Sequence, residues 1–201
     1  MTDEGSIKFD CRWQPGEALL PSPVPELIAS RDRLFDLGLV GALPDGIGYG
    51  NVSVRLDRTR FLVTGSGSGG IARLRPEHLA IVTSVDFTAN RVDCTGPVMA
   101  SSESMTHAAL YHADLRIAAV VHVHSHALWS SLLDVLPTSH ADVPYGTPAM
   151  AREIARLLDE ERPDRSGVIV MGGHRDGLIG FGESLDRAEA LLVERLRTIE
   201  R

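Results

Sequence analysis

The hydrophobic and polar positions of the chain follow two periods, one of two residues and one of three to four. Alternating or continuous β-branched segments favour strands, because successive side chains on a strand point to opposite faces. Such segments are found at 51–56, 60–64, 79–85, 91–94, 120–124, 167–171 and 178–182. Apolar residues spaced three to four positions apart predict five helices, which begin near residues 25, 104, 126, 148 and 185.

Strands fill the middle of the chain and helices flank them, so the fold class is α/β or α+β with a mixed or mainly antiparallel sheet. Short turns after 51–56 and after 79–85 predict two hairpins. Residues 1–24, which contain Trp13 and several prolines, are predicted to form an N-terminal arm that lies on the body. Residues 25–201 are predicted to form a single domain, which suits a chain of 201 residues.

The most informative segment is an apolar, β-branched stretch that carries two histidines. His122 and His124 are two residues apart on a predicted strand, so their side chains point to the same face. Two adjacent imidazoles can bind one transition metal, and zinc suits them well. The alternative is a pair of core histidines that each have a separate hydrogen-bond partner. A buried pair favours the metal, because one ion satisfies both rings.

Two other segments are candidates for anion binding and catalysis. Residues 64–70 follow a strand and consist of small and glycine residues, whose backbone N–H groups can face an anion. A flexible linker or a plain hairpin turn is the commoner use of such a sequence. Ser101 or Ser102 is predicted to cap a helix that has Glu103 in its first turn. Glu103 is either a carboxylate that stabilises the helix start or a general base near a metal.

Composition and charge argue against several classes of protein. Apolar residues make up 43% of the chain and charged residues 23%, as in an ordinary soluble globular protein. The net charge of −7 and the pI near 5.6 argue against a general nucleic-acid-binding protein. Cys11 and Cys94 are too few for a disulfide framework, which favours the cytoplasm. No apolar run reaches the length of a membrane span, so we expect no membrane partner.

Five short motifs occur in a fixed order along the chain. They are Gly50-Asn51-Val52-Ser53, Thr64-Gly65-Ser66-Gly67, Ser101-Ser102-Glu103, His122-Val123-His124 and Gly173-His174. The ordered set resembles the class II aldolase/adducin family, typified by fuculose-phosphate aldolase and ribulose-phosphate 4-epimerase, over about residues 25–199. The resemblance implies a three-layer α/β/α sandwich with a central, mostly antiparallel sheet. It also implies a homotetramer with active sites between neighbouring subunits.

The resemblance further implies roles for individual residues. His122, His124 and His174 resemble three zinc ligands, and three histidines with an open position are typical of a catalytic zinc site. Glu103 resembles the acid/base carboxylate of the family. The residues that resemble the family's phosphate pocket are Asn51, Ser66, Gly67, Ser101 and Ser102.

The implied activity is that of a zinc-dependent carbon–carbon lyase of the aldolase type. Its expected substrate is a small, phosphorylated, sugar-like hydroxy-carbonyl compound. Zinc or another divalent ion would stabilise the enediolate formed when the carbon–carbon bond breaks, and Glu103 would move a proton on it. Phosphate contacts would hold the reacting carbons in place. A decarboxylase, dehydratase or epimerase on the same metal site is one alternative, and a non-catalytic, adducin-like interaction domain is another.

The chain departs from the sugar aldolases of the family in three places. The third histidine of those enzymes is usually followed at once by glycine, but two residues intervene here. One of them, Asp176, is an alternative ligand to His174. The sugar aldolases also use a tyrosine after the histidine that matches His140, where this chain has Ala141. A second tyrosine of the sugar aldolases lies in a C-terminal tail, whereas this sequence ends with its last predicted helix at Arg201. Both usual proton donors are therefore missing, unless Tyr145 or His140 substitutes.

Overall fold

The computed structural model describes residues 5–18, 23–161 and 166–199. Within these ranges the main feature is an eight-stranded sheet, accompanied by a two-stranded hairpin. The strands are β1 (Asp10–Pro15), β2 (Gly41–Ala42), β3 (Gly48–Tyr49), β4 (Asn51–Arg55), β5 (Phe61–Thr64), β6 (Leu79–Asp86), β7 (Arg91–Gly96), β8 (Ala119–His124), β9 (Gly167–Val170) and β10 (Gly177–Gly182). Every strand predicted from the sequence is present, with ends that differ from the prediction by at most about two residues.

The strands of the large sheet lie in the order β1-β7-β6-β5-β4-β8-β10-β9. All neighbouring pairs are antiparallel except β1 and β7, which confirms the predicted, mainly antiparallel sheet. The histidine strand β8 lies between β4 and β10. The register places Asn51 of β4 and Ile179 of β10 on either side of His122.

In the described part of the chain, five α-helices cover both faces of the sheet. They are α1 (Pro23–Asp36), α2 (Ser104–Ala113), α3 (His126–Leu132), α4 (Pro148–Glu161) and α5 (Leu185–Ile199). The helices α2 and α4 contribute to one apolar core, and α1, α3 and α5 contribute to a second core. Val120 and Val121, which are neighbours on β8, belong to different cores, as expected for side chains that alternate between two faces. The predicted three-layer α/β/α sandwich is therefore confirmed.

The apolar faces of the helices are used inside the fold. Leu27 and Leu34 of α1 and Leu192 of α5 are fully buried in the second core. Across residues 5–18, 23–161 and 166–199, no helix combines the length and the apolar character that crossing a bilayer requires.

Local capping signals explain where two of the helices begin. The hydroxyl of Ser125 accepts a hydrogen bond from the amide of Leu128 at 3.3 Å, so His126 starts α3 as predicted. The hydroxyl of Thr147 accepts a hydrogen bond from the amide of Met150 at 3.3 Å, and α4 begins at the proline between them.

The amino-terminal segment is more closely integrated than the predicted arm. Residues 10–15 form the edge strand β1, which pairs in parallel with residues 91–96 of β7. This segment has no regular apolar alternation, and most of its side chains are exposed. Pairing with β7, and not the local pattern, therefore makes it a strand. Residues 1–4 and 19–22 of the predicted arm lie outside the described residues, and the domain boundary at residue 24 stays a prediction.

Candidate metal centre and anion pocket

His122 and His124 project from one face of β8, as their spacing predicts. His122 is 1% exposed and His124 is half-buried. The Nδ1 atom of His122 donates a hydrogen bond to the backbone carbonyl of Leu178 on β10, at 3.1 Å. This bond orients the ring and makes Nε2 the atom that can bind a metal ion.

His174 reaches the same place from the turn that joins β9 to β10. Its amide donates to the carbonyl of Met171 at 3.1 Å, and its carbonyl accepts from the amide of Gly177 at 2.9 Å. Gly173 is needed in this compact turn, because a Cβ atom there would lie 2.4 Å from the carbonyl oxygen of Val143. The turn that carries the Gly173-His174 motif therefore brings a third imidazole to β8.

The three imidazole rings form one cluster. Potential ligand atoms of His122, His124 and His174 all lie within 4.8 Å of one another. The Nε2 atoms of His122 and His124 are 3.1 Å apart. Two nitrogens bound to one tetrahedral zinc ion lie about 3.3 Å apart. Burial and the other two rings lower the pKa of His124, so its ring is neutral, which is the form that binds metals. The donor atoms and their spacing fit a divalent metal ion such as zinc.

Asp176 lies outside this cluster. Its carboxylate accepts a hydrogen bond from Nδ1 of His126 at 2.8 Å, on an exposed part of the surface. Among the described residues, the group whose ligand atoms converge consists of the three histidines. The geometry therefore favours His174 over Asp176 as the third ligand.

Glu103 lies against the histidine cluster. Its Oε1 atom is 3.2 Å from Nδ1 of His174 and 3.7 Å from Nε2 of His122. Burial raises the pKa of this carboxyl group, but His122 and His174 outweigh that effect and lower the pKa to about 2. The carboxylate is therefore ionised at neutral pH and can accept a proton.

The structure corrects the predicted cap of α2. Glu103 precedes the first turn as the N-cap residue, and its side chain makes no capping hydrogen bond. Ser101 does not cap the helix, and its hydroxyl instead accepts the amide of Glu103 at 3.3 Å. The carboxylate is thus directed at the histidines and not at the amides of the helix.

A chain of buried polar groups lies near Glu103. Nδ1 of His107, one turn along α2, lies 2.7 Å from the hydroxyl of Ser53, which lies 2.7 Å from the hydroxyl of Tyr111. Burial lowers the pKa of His107 to about 3 and raises the pKa of Tyr111, so both groups are uncharged at neutral pH. Sequence analysis named Ser53 only as part of a family motif and did not single out His107 or Tyr111.

The residues predicted to bind phosphate line a single pocket, and Glu103 lines it as well. They are Asn51, Ser66, Gly67, Ser101 and Ser102. Gly67 has a φ of +76°, which residues with a side chain rarely adopt. Within the described part of the chain, the buried Oδ1 atom of Asn51 has no hydrogen-bond partner. This oxygen accepts hydrogen bonds, so a ligand hydroxyl group that donates to it would remove the penalty of an unsatisfied buried polar group.

The anion pocket and the histidine cluster are neighbours in the fold. Glu103 both lines the pocket and approaches two of the histidines. Asn51 lines the pocket and is the register partner of His122 in the sheet. A molecule whose anionic group occupies the pocket would therefore extend toward the histidines.

Sequence analysis missed a charged residue behind the pocket. Arg31 on α1 is 1% exposed, and its guanidinium donates hydrogen bonds to backbone carbonyls of residues 68–71. A signal existed, because Arg31 lies on the apolar stripe of α1, four residues after Leu27 and three before Leu34. A charged residue at a core position of a helix requires buried partners.

The two candidate proton donors differ in position. Tyr145 is buried, and its ring stacks on that of His174 with the centroids 4.3 Å apart. The hydroxyl of Tyr145 accepts a hydrogen bond from the amide of Ser6 at 3.1 Å. The side chain of His140 is 68% exposed and lies beside Glu153. Tyr145, and not His140, therefore borders the histidine cluster.

Comparison with known proteins decides the family. The family model for the class II aldolase and adducin N-terminal domain matches residues 26–200, which is most of the chain. The chain belongs to this family. The resemblance inferred from the five motifs is therefore confirmed.

Similar proteins in this family are named for different reactions. A 3-oxo-tetronate 4-phosphate decarboxylase of Haemophilus influenzae is 36% identical over 111 residues, which cover 55% of this chain and 49% of that enzyme. The chain thus matches about half the length of this relative. The structure of L-fuculose-1-phosphate aldolase from Thermus thermophilus is similar, with 25% identity, a TM-score of 0.63 and coverage of 88% of this chain and 90% of that one.

A third similar protein is YgbL of Escherichia coli, a candidate aldolase, epimerase or decarboxylase. Its structure matches with 27% identity, a TM-score of 0.62 and coverage of 88% of this chain and 86% of that one. These likenesses confirm a class II aldolase fold. Aldol cleavage and decarboxylation, for which these class II aldolase relatives are named, both break a carbon–carbon bond.

Proposed function

We propose that this protein is a metal-dependent carbon–carbon lyase that acts on a small, phosphorylated hydroxy-carbonyl compound. The observation that carries the proposal is the convergence of the histidine cluster, a buried ionised Glu103 and an anion pocket at one place. The leading candidate is an aldolase-type lyase, and zinc is the proposed ion.

His122, His124 and His174 would hold the ion, and three protein ligands leave a position open for substrate. A divalent ion bound there supplies a Lewis acid that stabilises negative charge on substrate oxygen atoms beside the broken bond.

The residues of the chain bind the substrate and move protons. Asn51, Ser66 and Ser101 offer amide, hydroxyl and backbone donors for a phosphate group, which holds the reacting carbons in a fixed position. Glu103 is ionised, buried and close to two of the proposed ligands, so it is placed to transfer a proton to or from the carbon that carries the charge. Tyr145, stacked on His174, keeps solvent away from one side of that ring.

A decarboxylase is the second candidate, because the curated relative at 36% identity is named as a decarboxylase. Loss of carbon dioxide from a 3-oxo acid leaves negative charge on the same carbon and oxygen atoms as aldol cleavage does. It needs no group to take the proton from the hydroxyl that becomes the carbonyl of a departing aldehyde. The presence of Ala141, where the sugar aldolases have a tyrosine, is consistent with this reaction.

Other expectations from the sequence stay predictions within this proposal. They are a homotetramer, a cytoplasmic location, a sugar phosphate as the substrate and no nucleic-acid partner. The retained histidine cluster favours an enzyme over a non-catalytic, adducin-like domain.

Product analysis on two substrate panels tests the proposal. Zinc-loaded protein is incubated with phosphorylated ketoses and with phosphorylated 3-oxo acids, while aldehyde and carbon dioxide are measured. We expect the protein to convert the compounds of one panel. Their unphosphorylated counterparts, which lack the group that the pocket holds, should react more slowly by about tenfold or more. Chelation of the metal should abolish the reaction, and zinc should restore it.

The control variant is His126→Ala, which removes a nearby exposed histidine outside the cluster and should keep the activity. Zinc-loaded protein that converts neither panel would contradict a lyase of this kind. Equal rates with and without the phosphate group would contradict a phosphorylated substrate.

A further inference from the structure

One buried cation holds the glycine-rich loop of the anion pocket from behind. Nη2 of Arg31 donates to the carbonyl of Ser68 at 2.8 Å and to that of Gly69 at 2.7 Å. Nη1 donates to the carbonyl of Ile71. A planar guanidinium can satisfy several acceptors at once because its donors form a rigid fork.

The direction of these carbonyl groups determines the direction of the loop amides. In a planar trans peptide, the C=O group and the following N–H group point in opposite directions. Because the carbonyls of Ser68 and Gly69 point at Arg31, the amides of Gly69 and Gly70 point away from α1. Gly69 is one of the residues that line the pocket.

The loop also keeps some of its amides available. The amides of Ser66 and Ser68 donate to the carbonyls of Met99 and Gly65, at 2.9 and 3.2 Å. Within the described residues, the amides of Gly67, Gly69 and Gly70 donate to no backbone carbonyl, whereas the amide of Gly65 donates to the carbonyl of His78 at 2.8 Å. Successive backbone N–H groups on one side of a loop form a typical anion-binding surface.

Arg31 supplies charge that the lining of the pocket lacks. Among the described lining residues there is no lysine or arginine, and the one ionised group is the carboxylate of Glu103. The carboxylate nearest to Arg31 is that of Asp32, at 3.5 Å, which also accepts the amide of Leu74 at 3.1 Å. A buried charge acts strongly over short distances, because the surrounding protein screens it less than water does.

A role in packing alone does not explain the choice of residue. Arg31 occupies a position on α1 where the neighbouring stripe residues Leu27 and Leu34 are apolar and fully buried. An apolar residue would fill such a position without the penalty of burying a charge.

We propose that Arg31 is the positioning residue of the anion pocket. It holds the carbonyls of Ser68, Gly69 and Ile71 so that the amides of Gly69 and Gly70 face the anion, and it places positive charge behind them. The inference rests on the proposed function, because it concerns the phosphate subsite of that site.

Inorganic phosphate is the probe that tests this inference, titrated calorimetrically into zinc-loaded protein. The variants are Arg31→Met, which removes the charge and the donors, and Arg31→Lys, which keeps the charge but replaces the planar fork of donors with one ammonium group. The matched control is Arg33→Met, because Arg33 lies on the same helix but binds Glu189, at 2.6 and 2.8 Å, and not the loop. A Ser66→Asp variant places like charge in the pocket, and its loss of phosphate binding locates the probe there.

We expect Arg31→Met to bind phosphate about tenfold or more weakly, with zinc content and circular dichroism unchanged. Arg31→Lys should fall between this variant and the parent, because one ammonium cannot bond all three carbonyls in a planar fork. Arg33→Met should stay within about twofold of the parent.

An Arg31→Met protein that keeps its zinc and binds phosphate within about twofold of the parent overturns the inference. If Arg31→Met does not fold, Arg31→Lys decides: binding within about twofold of the parent overturns the inference, and weaker binding supports it. A zinc-loaded parent that binds no phosphate, or a Ser66→Asp variant that still binds it, overturns the anion pocket of the proposed function and this inference with it. If the parent and Arg31→Met both bind phosphate normally, the result overturns only the role of Arg31 and not the anion pocket of the proposed function.

Discussion

At the scale of single residues, Glu103 shows how surroundings decide the chemistry of a side chain. A carboxylate at a helix start ordinarily interacts with the amides of the first turn. The side chain of Glu103 makes no capping bond and lies 3.2 Å from Nδ1 of His174. With its pKa lowered to about 2 it stays ionised while buried. The ionised carboxylate lies beside the histidine cluster and can accept a proton there, as the proposed proton transfer requires.

The Glu103→Gln variant should slow turnover by roughly a hundredfold or more, because the amide keeps the shape of the side chain but cannot accept a proton. Metal content and circular dichroism should be unchanged, and kcat is measured with the substrate identified by product analysis. The control is Glu189→Gln on α5, a buried carboxylate that binds Arg33, and its kcat should stay within about twofold of the parent. Unchanged turnover in Glu103→Gln would contradict a role of this residue in proton transfer.

At the scale of elements, the loop of residues 65–71 is a packed structure and not the flexible linker that the sequence left open. The amide of Ser66 donates to Met99, and Arg31 binds three carbonyls of the loop. A Cβ atom on Gly69 would lie 2.5 Å from the carbonyl oxygen of Gly41. The β2–β3 hairpin therefore packs closely against one side of the loop, and Arg31 of α1 forms hydrogen bonds with it from another side.

The Gly69→Ala variant should lower the free energy of unfolding by about 1–3 kcal/mol, because the added methyl group collides with backbone atoms that cannot move alone. It should also weaken phosphate binding, since relief of the collision shifts the loop. Urea denaturation measures the first effect and calorimetry the second. The matched control is Gly70→Ala, because Gly70 lies on an exposed part of the loop. The nearest atom to a Cβ atom added there would be the Cβ atom of Ala42, at 3.1 Å. An equal loss of stability in both variants would contradict the tight packing of Gly69.

The local pattern predicted the central strands and the helices of the described residues, but not the edge strand β1 or the short strands β2 and β3. In the predicted strands, buried side chains alternate or run continuously, so the pattern itself carries the information. In β1 most side chains are exposed, including Trp13 at 38%, and the strand exists because it pairs with β7 far along the chain. Such a non-local pairing leaves no periodic signal in residues 10–15.

At the scale of the whole molecule, the candidate site is assembled from distant parts of one sheet. Asn51, His122 and His174 come from β4, from β8 and from the turn before β10, and the strand order β4-β8-β10 brings them together. The pair His122 and His124 was predictable from the period of a strand. The third histidine and Glu103 were assigned from the family resemblance, because only the tertiary fold joins them to β8. The contact of Arg31 with the loop depends on how α1 packs, which no local pattern records.

The central claim is that His122, His124 and His174 bind one divalent metal ion per chain. Metal analysis of purified, zinc-reconstituted and dialysed protein tests it most directly. We expect about one zinc per chain in the parent, and a content far below one in the His122→Ala/His124→Ala double variant and in His174→Ala.

Two matched controls belong to the same measurement. His126→Ala and Asp176→Asn alter the hydrogen-bonded pair outside the cluster, and both should keep about one zinc per chain. Loss of zinc in Asp176→Asn, with zinc retained in His174→Ala, would assign the third ligand to Asp176. A His122→Ala/His124→Ala protein that keeps its full zinc content would contradict the metal centre itself.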